Sequence, residues 1–177
     1  GFYSTQNKRL ECGTTGTDNT IGSLEGQYFD TITYSSTVDT FENLKALVRY
    51  DTGLTNIPIV VMMHGWSSYY TNLPTESLIR FANYKSFVKA PGRRGRNGAD
   101  GARDASAREI YDIYDAVQYV IDSFPSVIDS TKITIAGWSG GGGNVFAAAC
   151  KFPDFWNLAV SNFGMSDYGY DNGWYQD

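Results

Sequence analysis

Residues 132–141 read Lys-Ile-Thr-Ile-Ala-Gly-Trp-Ser-Gly-Gly, and this stretch decides the fold. Gly137 to Gly141 is a G-x-S-x-G. Apolar residues lead into it, and glycine and alanine lead out of it. A strand, a sharp turn and a helix is the setting in which this motif makes a nucleophile elbow. Glycines permit a turn too tight for side chains. Ser139 then stands at the carboxyl end of a strand and the amino end of a helix, whose dipole favours a developing anion. Two readings compete with the nucleophile. One is a glycine-rich turn with an incidental serine. The other is a phosphate-binding loop, but neither G-x-G-x-x-G nor G-K-[ST] occurs. The buried strand before the motif and the small-residue helix after it favour the nucleophile.

Working upstream, Ile57-Pro58-Ile59-Val60-Val61-Met62-Met63 is an unbroken apolar run that ends in His64-Gly65-Trp66. Such strands belong in a sheet buried on both faces. Ser106 and Glu109 form an S-x-x-E capping box. Ile110, Ile113, Val117, Val120 and Ile121 behind it share one helical face, and Phe124-Pro125 ends the helix. A further helix is expected from Pro74, and another over 144–150. Strands are expected near 28–34, 43–50, 57–63, 86–90, 132–137 and 157–163, the first two as an antiparallel hairpin. Alternating strands and helices imply parallel pairing with right-handed crossovers. The fold class is therefore α/β: a mostly parallel sheet with helices on both faces. Residues 1–26 read as an irregular lead-in and 27–177 as one domain.

The 177 residues fit a single domain. Fourteen basic and nineteen acidic residues leave a net charge of −5, which argues against nucleic-acid binding. No apolar run is long enough to span a bilayer, and no secretory leader pattern opens the sequence. Cys12 and Cys150 show no metal-ligand spacing and read as free thiols. No metal and no cofactor is expected. Gly92, Gly95, Gly98 and Gly101 recur every third residue, but a collagen repeat needs far more proline. They read as a loop that folds back on the domain.

These features together resemble the α/β-hydrolase superfamily, and within it the catalytic domain of prolyl-oligopeptidase-type serine peptidases and related esterases. The resemblance is carried by Met63-His64-Gly65, the Arg94-Gly95-Arg96-Asn97-Gly98 loop, Ser106 to Val120, the Ser139 elbow and Met165-Ser166-Asp167. It implies a serine hydrolase acting on a peptide or carboxylic ester through a Ser139 acyl-enzyme. It further implies an oxyanion hole from the backbone amides of Gly140 and Trp66. It assigns His64 to bracing its loop, out of hydrogen-bond reach of Ser139. Such enzymes order their triad as Ser, Asp or Glu, then His. The one histidine here precedes the serine. The chain is accordingly expected to be an incomplete enzyme, with the sheet edge past 157–163 open or covered by a missing C-terminal segment or a second chain. Asp167 is left unassigned. The alternative is a non-catalytic, hydrolase-like binding module.

Arg93, Arg94, Arg96 and Arg103 crowd one loop. They either clamp a substrate carboxylate or pair with Asp100, Asp104 and Glu109 nearby, and for most of them pairing is favoured. Tyr168, Tyr170, Trp174 and Tyr175 form an aromatic tail that lines a cleft or serves only as a surface cluster.

Overall fold

A computed structural model describes residues 27–73, 82, 85–104 and 108–166. The expected lead-in, Cys12, the helix starting at Pro74, Ser106, Asp167 and the aromatic tail lie outside the described residues, apart from Ala82 within that helix.

Among the described residues, six strands form one sheet in the order β1-β2-β4-β3-β5-β6. They are β1 (Gln27–Tyr34), β2 (Leu44–Asp51), β3 (Ile57–Met63), β4 (Phe87–Pro91), β5 (Ile128–Trp138) and β6 (Leu158–Asn162). β1 and β2 make the expected antiparallel hairpin, and β2 pairs antiparallel with β4. β4, β3, β5 and β6 run parallel. Two helices, α1 (Glu109–Ser123) and α2 (Gly140–Lys151), supply the crossovers among the described residues.

Side-chain alternation splits the core into two layers. Ile57, Ile59, Val61 and Met63 of β3 face one side, where Ile110, Ile113, Val117 and Val120 of α1 and Val145 and Ala148 of α2 cover them. Val60 and Met62 face the other, with Leu47, Tyr70, Leu73, Ala82, Val88 and Ala90. Both described helices thus lie on one face. The other is covered by a short 3-10 turn, Tyr70–Asn72, and by Ala82.

Two local expectations change. α2 begins at Gly140, not at 144, so the four glycines after Ser139 are helical. The N-cap of α1 is Arg108, and the Glu109 carboxylate faces Arg93 Nε at 3.1 Å instead of closing a capping box. Asp104 Oδ2 accepts the Arg108 amide at 2.8 Å and closes that end.

The register places the site. Met63 of β3 lies opposite Gly137 of β5, and Trp138 lies opposite Asn162 of β6. Their carboxyl ends finish side by side, so the 64–66 loop and the elbow meet above one sheet edge. This is the crevice in which open α/β sheets place their ligands. At the far side, β6 is the last strand of the described sheet, and Leu158, Val160 and Phe163 are exposed.

Candidate active site

Ser139 sits between the last residue of β5 and the first of α2, and its side chain is exposed. Its backbone has φ 54° and ψ −128°. A non-glycine residue there costs about 1–3 kcal/mol and persists only where the surroundings impose it. Three contacts impose it. The Ser139 amide donates to Asn162 O at 2.9 Å. Its carbonyl accepts the Gly143 amide at 3.0 Å, which starts the helix. The helix also packs so closely that a Cβ on Gly141 would stand 2.5 Å from Met63 O and 2.7 Å from His64 O.

Gly140 and Trp66 are brought together. A Cβ on Gly140 would fall 2.0 Å from Trp66 Cδ1, so the indole lies against the Gly140 backbone. A Cβ on Gly65 would stand 3.7 Å from Ser139 Cβ, which measures how near the 64–66 loop comes to the serine. As the first residue of α2, Gly140 has an amide with no carbonyl behind it in the helix.

His64 is buried, and its Nδ1 is 2.9 Å from Gly65 O. A carbonyl only accepts, so the ring proton is on Nδ1. Nε2 is buried without a hydrogen-bond partner. The ring therefore makes no hydrogen bond to the Ser139 hydroxyl. Burial pushes its pKa down to about 4, with Arg93 and Arg96 adding to the fall against the Gly65 contact. The imidazole is neutral at pH 7 and braces its own loop.

The arginine loop is placed differently from the sequence expectation. Arg93 pairs with Glu109, as expected, and its Nη2 donates to His64 O at 3.0 Å. Arg94 is buried and bonds both oxygens of Asp112, from Nε at 2.6 Å and Nη2 at 2.7 Å, and Asp39 from Nη1 at 2.6 Å. Arg96 donates to the Trp66 carbonyl. Asp100 instead accepts the Asn43 amide. The corrected partners are thus Asp112, Asp39 and two loop carbonyls, because long side chains reach across the fold to groups sequence proximity does not single out. Gly95, Gly98 and Gly101 all have positive φ, and the loop does fold back, with the Gly95 amide on Asp100 O. Cys150 is a free, exposed thiol.

The sequence model of the prolyl oligopeptidase family matches residues 92–175, from the arginine loop through the elbow. No curated protein matches the sequence. Among solved structures, the chain is similar to the esterase Est22, whose structure holds p-nitrophenol (TM-score 0.65, 19% identity, 82% of this chain and 47% of that one). It is also similar to prolyl oligopeptidase B from Galerina marginata (0.66, 17% identity, 81% and 21%). A third is oligopeptidase B from Trypanosoma brucei (0.61, 15% identity, 77% and 20%). The fold is that of the α/β-hydrolases. The chain spans about half the length of the esterase and about a fifth of the two peptidases.

In this α/β-hydrolase frame the sequence-predicted residues Ser139, Gly140 and Trp66 fall together at one sheet edge. What the sequence did not single out is Asp112 and Asp115. Both are buried on α1 and bind the 36–39 segment, Asp115 through the Thr37 amide at 2.7 Å and Asp112 through Ser36 Oγ at 3.2 Å. Their i, i+3 spacing on an otherwise apolar helical face was the available signal.

Proposed function

We propose that Ser139 is the nucleophile of a serine hydrolase acting on a peptide or carboxylic ester bond. The observation that carries the reading is the exposed Ser139 at φ 54°, on a strand-to-helix turn beside the 64–66 loop. Ser139 Oγ attacks the carbonyl carbon while a base takes its proton. The tetrahedral oxyanion is held by the amides of Gly140 and Trp66, each worth about 3–4 kcal/mol in such sites. Collapse expels the amine or alcohol, which takes that proton, and leaves an acyl-enzyme. Water then hydrolyses the ester on Ser139.

The base is not His64, whose ring faces Gly65 O and is otherwise buried. It is the sequence's one histidine. In this proposal the imidazole and its acid come from outside these 177 residues. They arrive on polypeptide that also covers the exposed β6 edge. Exposed edge strands invite pairing, which is the physical reason to expect a cover.

The test is labelling by a fluorophosphonate probe and hydrolysis of p-nitrophenyl esters by the full-length protein. Ser139→Ala is expected to abolish labelling and lower turnover by about ten-thousandfold or more. Equal labelling of the variant removes Ser139 from the mechanism. A folded wild-type protein that neither labels nor turns over, yet binds a peptide, makes it a binding module.

A further inference from the structure

Three consecutive carbonyls of the 64–66 loop are each engaged by a side chain. Arg93 Nη2 donates to His64 O, the His64 ring to Gly65 O, and Arg96 Nη1 to the Trp66 carbonyl. A peptide unit is planar and trans, so its N–H points opposite its C=O. Fixing these three carbonyls therefore fixes the directions of the Gly65, Trp66 and Ser67 amides. A guanidinium on the oxygen also polarises the peptide, here those that carry the Gly65 and Ser67 amides. The arrangement is built from two distant segments, since Arg93 and Arg96 come from the loop after β4. That loop is itself anchored to α1 by Arg94 on Asp112.

We propose that Arg96, together with Arg93, is a positioning residue: the two guanidiniums clamp the peptide units on either side of the Trp66 amide, whose own peptide the His64 ring holds through Gly65 O, and so keep that amide aimed at the oxyanion formed on Ser139. The proposal rests on the serine-hydrolase reading above and names what sets the second half of its oxyanion hole. It also reassigns these arginines. Arg93 is buried between Glu109 and a carbonyl. Arg96 already spends a donor on the loop. Their role is to shape the hole and not to grip a substrate carboxylate. A hole made of amides stabilises charge only when its donors sit within about 3 Å of where the oxygen will be. A displacement of about 1 Å costs up to a hundredfold in rate. Loss of a positioning residue should therefore appear in kcat.

The test uses the full-length protein with Arg96→Gln and Arg96→Lys. Arg96→Gln is expected to lower kcat on p-nitrophenyl esters about 10- to 100-fold with KM within about twofold. Arg96→Lys, which restores a charged donor, should recover part of the loss. A kcat within about twofold of wild type in Arg96→Gln overturns the proposal. So does a rise in KM alone, which would make Arg96 a substrate-binding group. Amide proton shifts provide a readout that does not depend on turnover. The Ser67 amide, which shares its peptide with the Trp66 carbonyl, should move in both variants, most in Arg96→Gln. Should Arg96→Gln fail to fold, Arg96→Lys alone decides, by an unmoved Ser67 amide and unchanged kcat against a moved amide and lowered kcat. Failure of the underlying reading looks different: Ser139→Ala keeps full activity and labelling. That outcome removes the catalytic role from Arg96 even where the Ser67 amide shifts.

Discussion

Two loops meet over Ser139, and they are held by opposite means. The elbow, 137–143, is held by the absence of side chains. A Cβ on Gly137 would stand 2.6 Å from Gly141 C, one on Gly141 2.5 Å from Met63 O, and one on Gly142 2.8 Å from Gly164 Cα. Backbone packs on backbone at Gly137, Gly141 and Gly142, and Ser139 is held at φ 54° between them. The 64–66 loop is held by long side chains that arrive from elsewhere, Arg93 and Arg96 on its carbonyls with the His64 ring between them. One loop is specified by the close approach of backbone to backbone, the other by guanidiniums that reach it from 29 and 30 residues away. The first is held by contacts that carry no titratable group. The second depends on ion pairs and protonation, and is where substitution and pH should act selectively.

The largest effect is expected at the anchor of the polar side. Arg94 is 4% exposed and joins Asp112, 1% exposed, to Asp39. Burial opposes its charge, but the bonds to Asp112 and Asp39 more than offset this and raise its pKa. Arg94→Met leaves the buried Asp112 without its cation, while Asp39 keeps Arg108. Removing one partner of a buried pair costs about 3–5 kcal/mol. Urea denaturation should show a loss of that size, and less in Arg94→Met/Asp112→Leu, which removes both charges. If the single variant lost under about 1 kcal/mol, the arginine loop would be anchored by something other than this pair.

A smaller loss is expected when the steric side is broken. Gly141→Ala puts a methyl against two backbone carbonyls that cannot rotate away. Overpacking of this kind costs about 1–3 kcal/mol. Gly53→Ala is the control, since its added Cβ meets only the Asp51 side chain, at 3.3 Å. The urea midpoint should fall clearly for the first and barely for the second. Equal midpoints would mean that the elbow relaxes, and the steric account of Ser139 would fail with it.

The same contrast explains what could be read from the sequence. Strand positions were legible to within a few residues because two-sided burial writes itself as apolar runs such as Ile57–Met63. The elbow was legible because Gly137, Ser139 and Gly141 lie within five residues, whereas the register that puts Met63 beside Gly137 is set by the tertiary pairing of the two strands. The helix start was misplaced because glycine has low helical propensity. Here close approach to the β3 carbonyls overrides it and makes Gly140–Gly143 helical. Arginine partners were legible only in part. Glu109 follows the loop closely enough to be guessed for Arg93, whereas Asp39 lies 55 residues from Arg94 and joins it only through the tertiary fold. Asp112, at 18 residues, sits on a helix whose pattern reads as apolar.

The smallest effect is one the wild-type protein largely conceals. Two buried groups beside the 64–66 loop titrate in opposite senses. Burial pushes the Glu109 carboxyl up from 4.5 to about 7, with Arg93 opposing the rise. Between those values the folded state holds more protons than the unfolded one, so this group's stability contribution is present below pH 4.5 and lost as pH rises through 7. Burial pushes His64 down from 6.5 to about 4. There the unfolded state holds more protons, so the contribution of a neutral His64 is present above pH 6.5 and lost as pH falls through 4. From pH 4.5 to 6.5 the slopes oppose, and the wild-type urea midpoint should change little from these two groups. Glu109→Gln removes one slope, so its midpoint should fall toward acid more steeply than wild type. His64→Gln removes the other, so its midpoint should rise toward acid relative to wild type. Asp112, whose pKa burial also raises, adds to the sense of Glu109 but is common to all three proteins. Taking each variant against wild type at pH 4.5, 5.5 and 6.5 cancels it. Parallel curves for all three would mean that neither group is held as buried as the fold places it. A slope change in Glu109→Gln alone would separate the carboxylate behind Arg93 from the ring that braces Gly65.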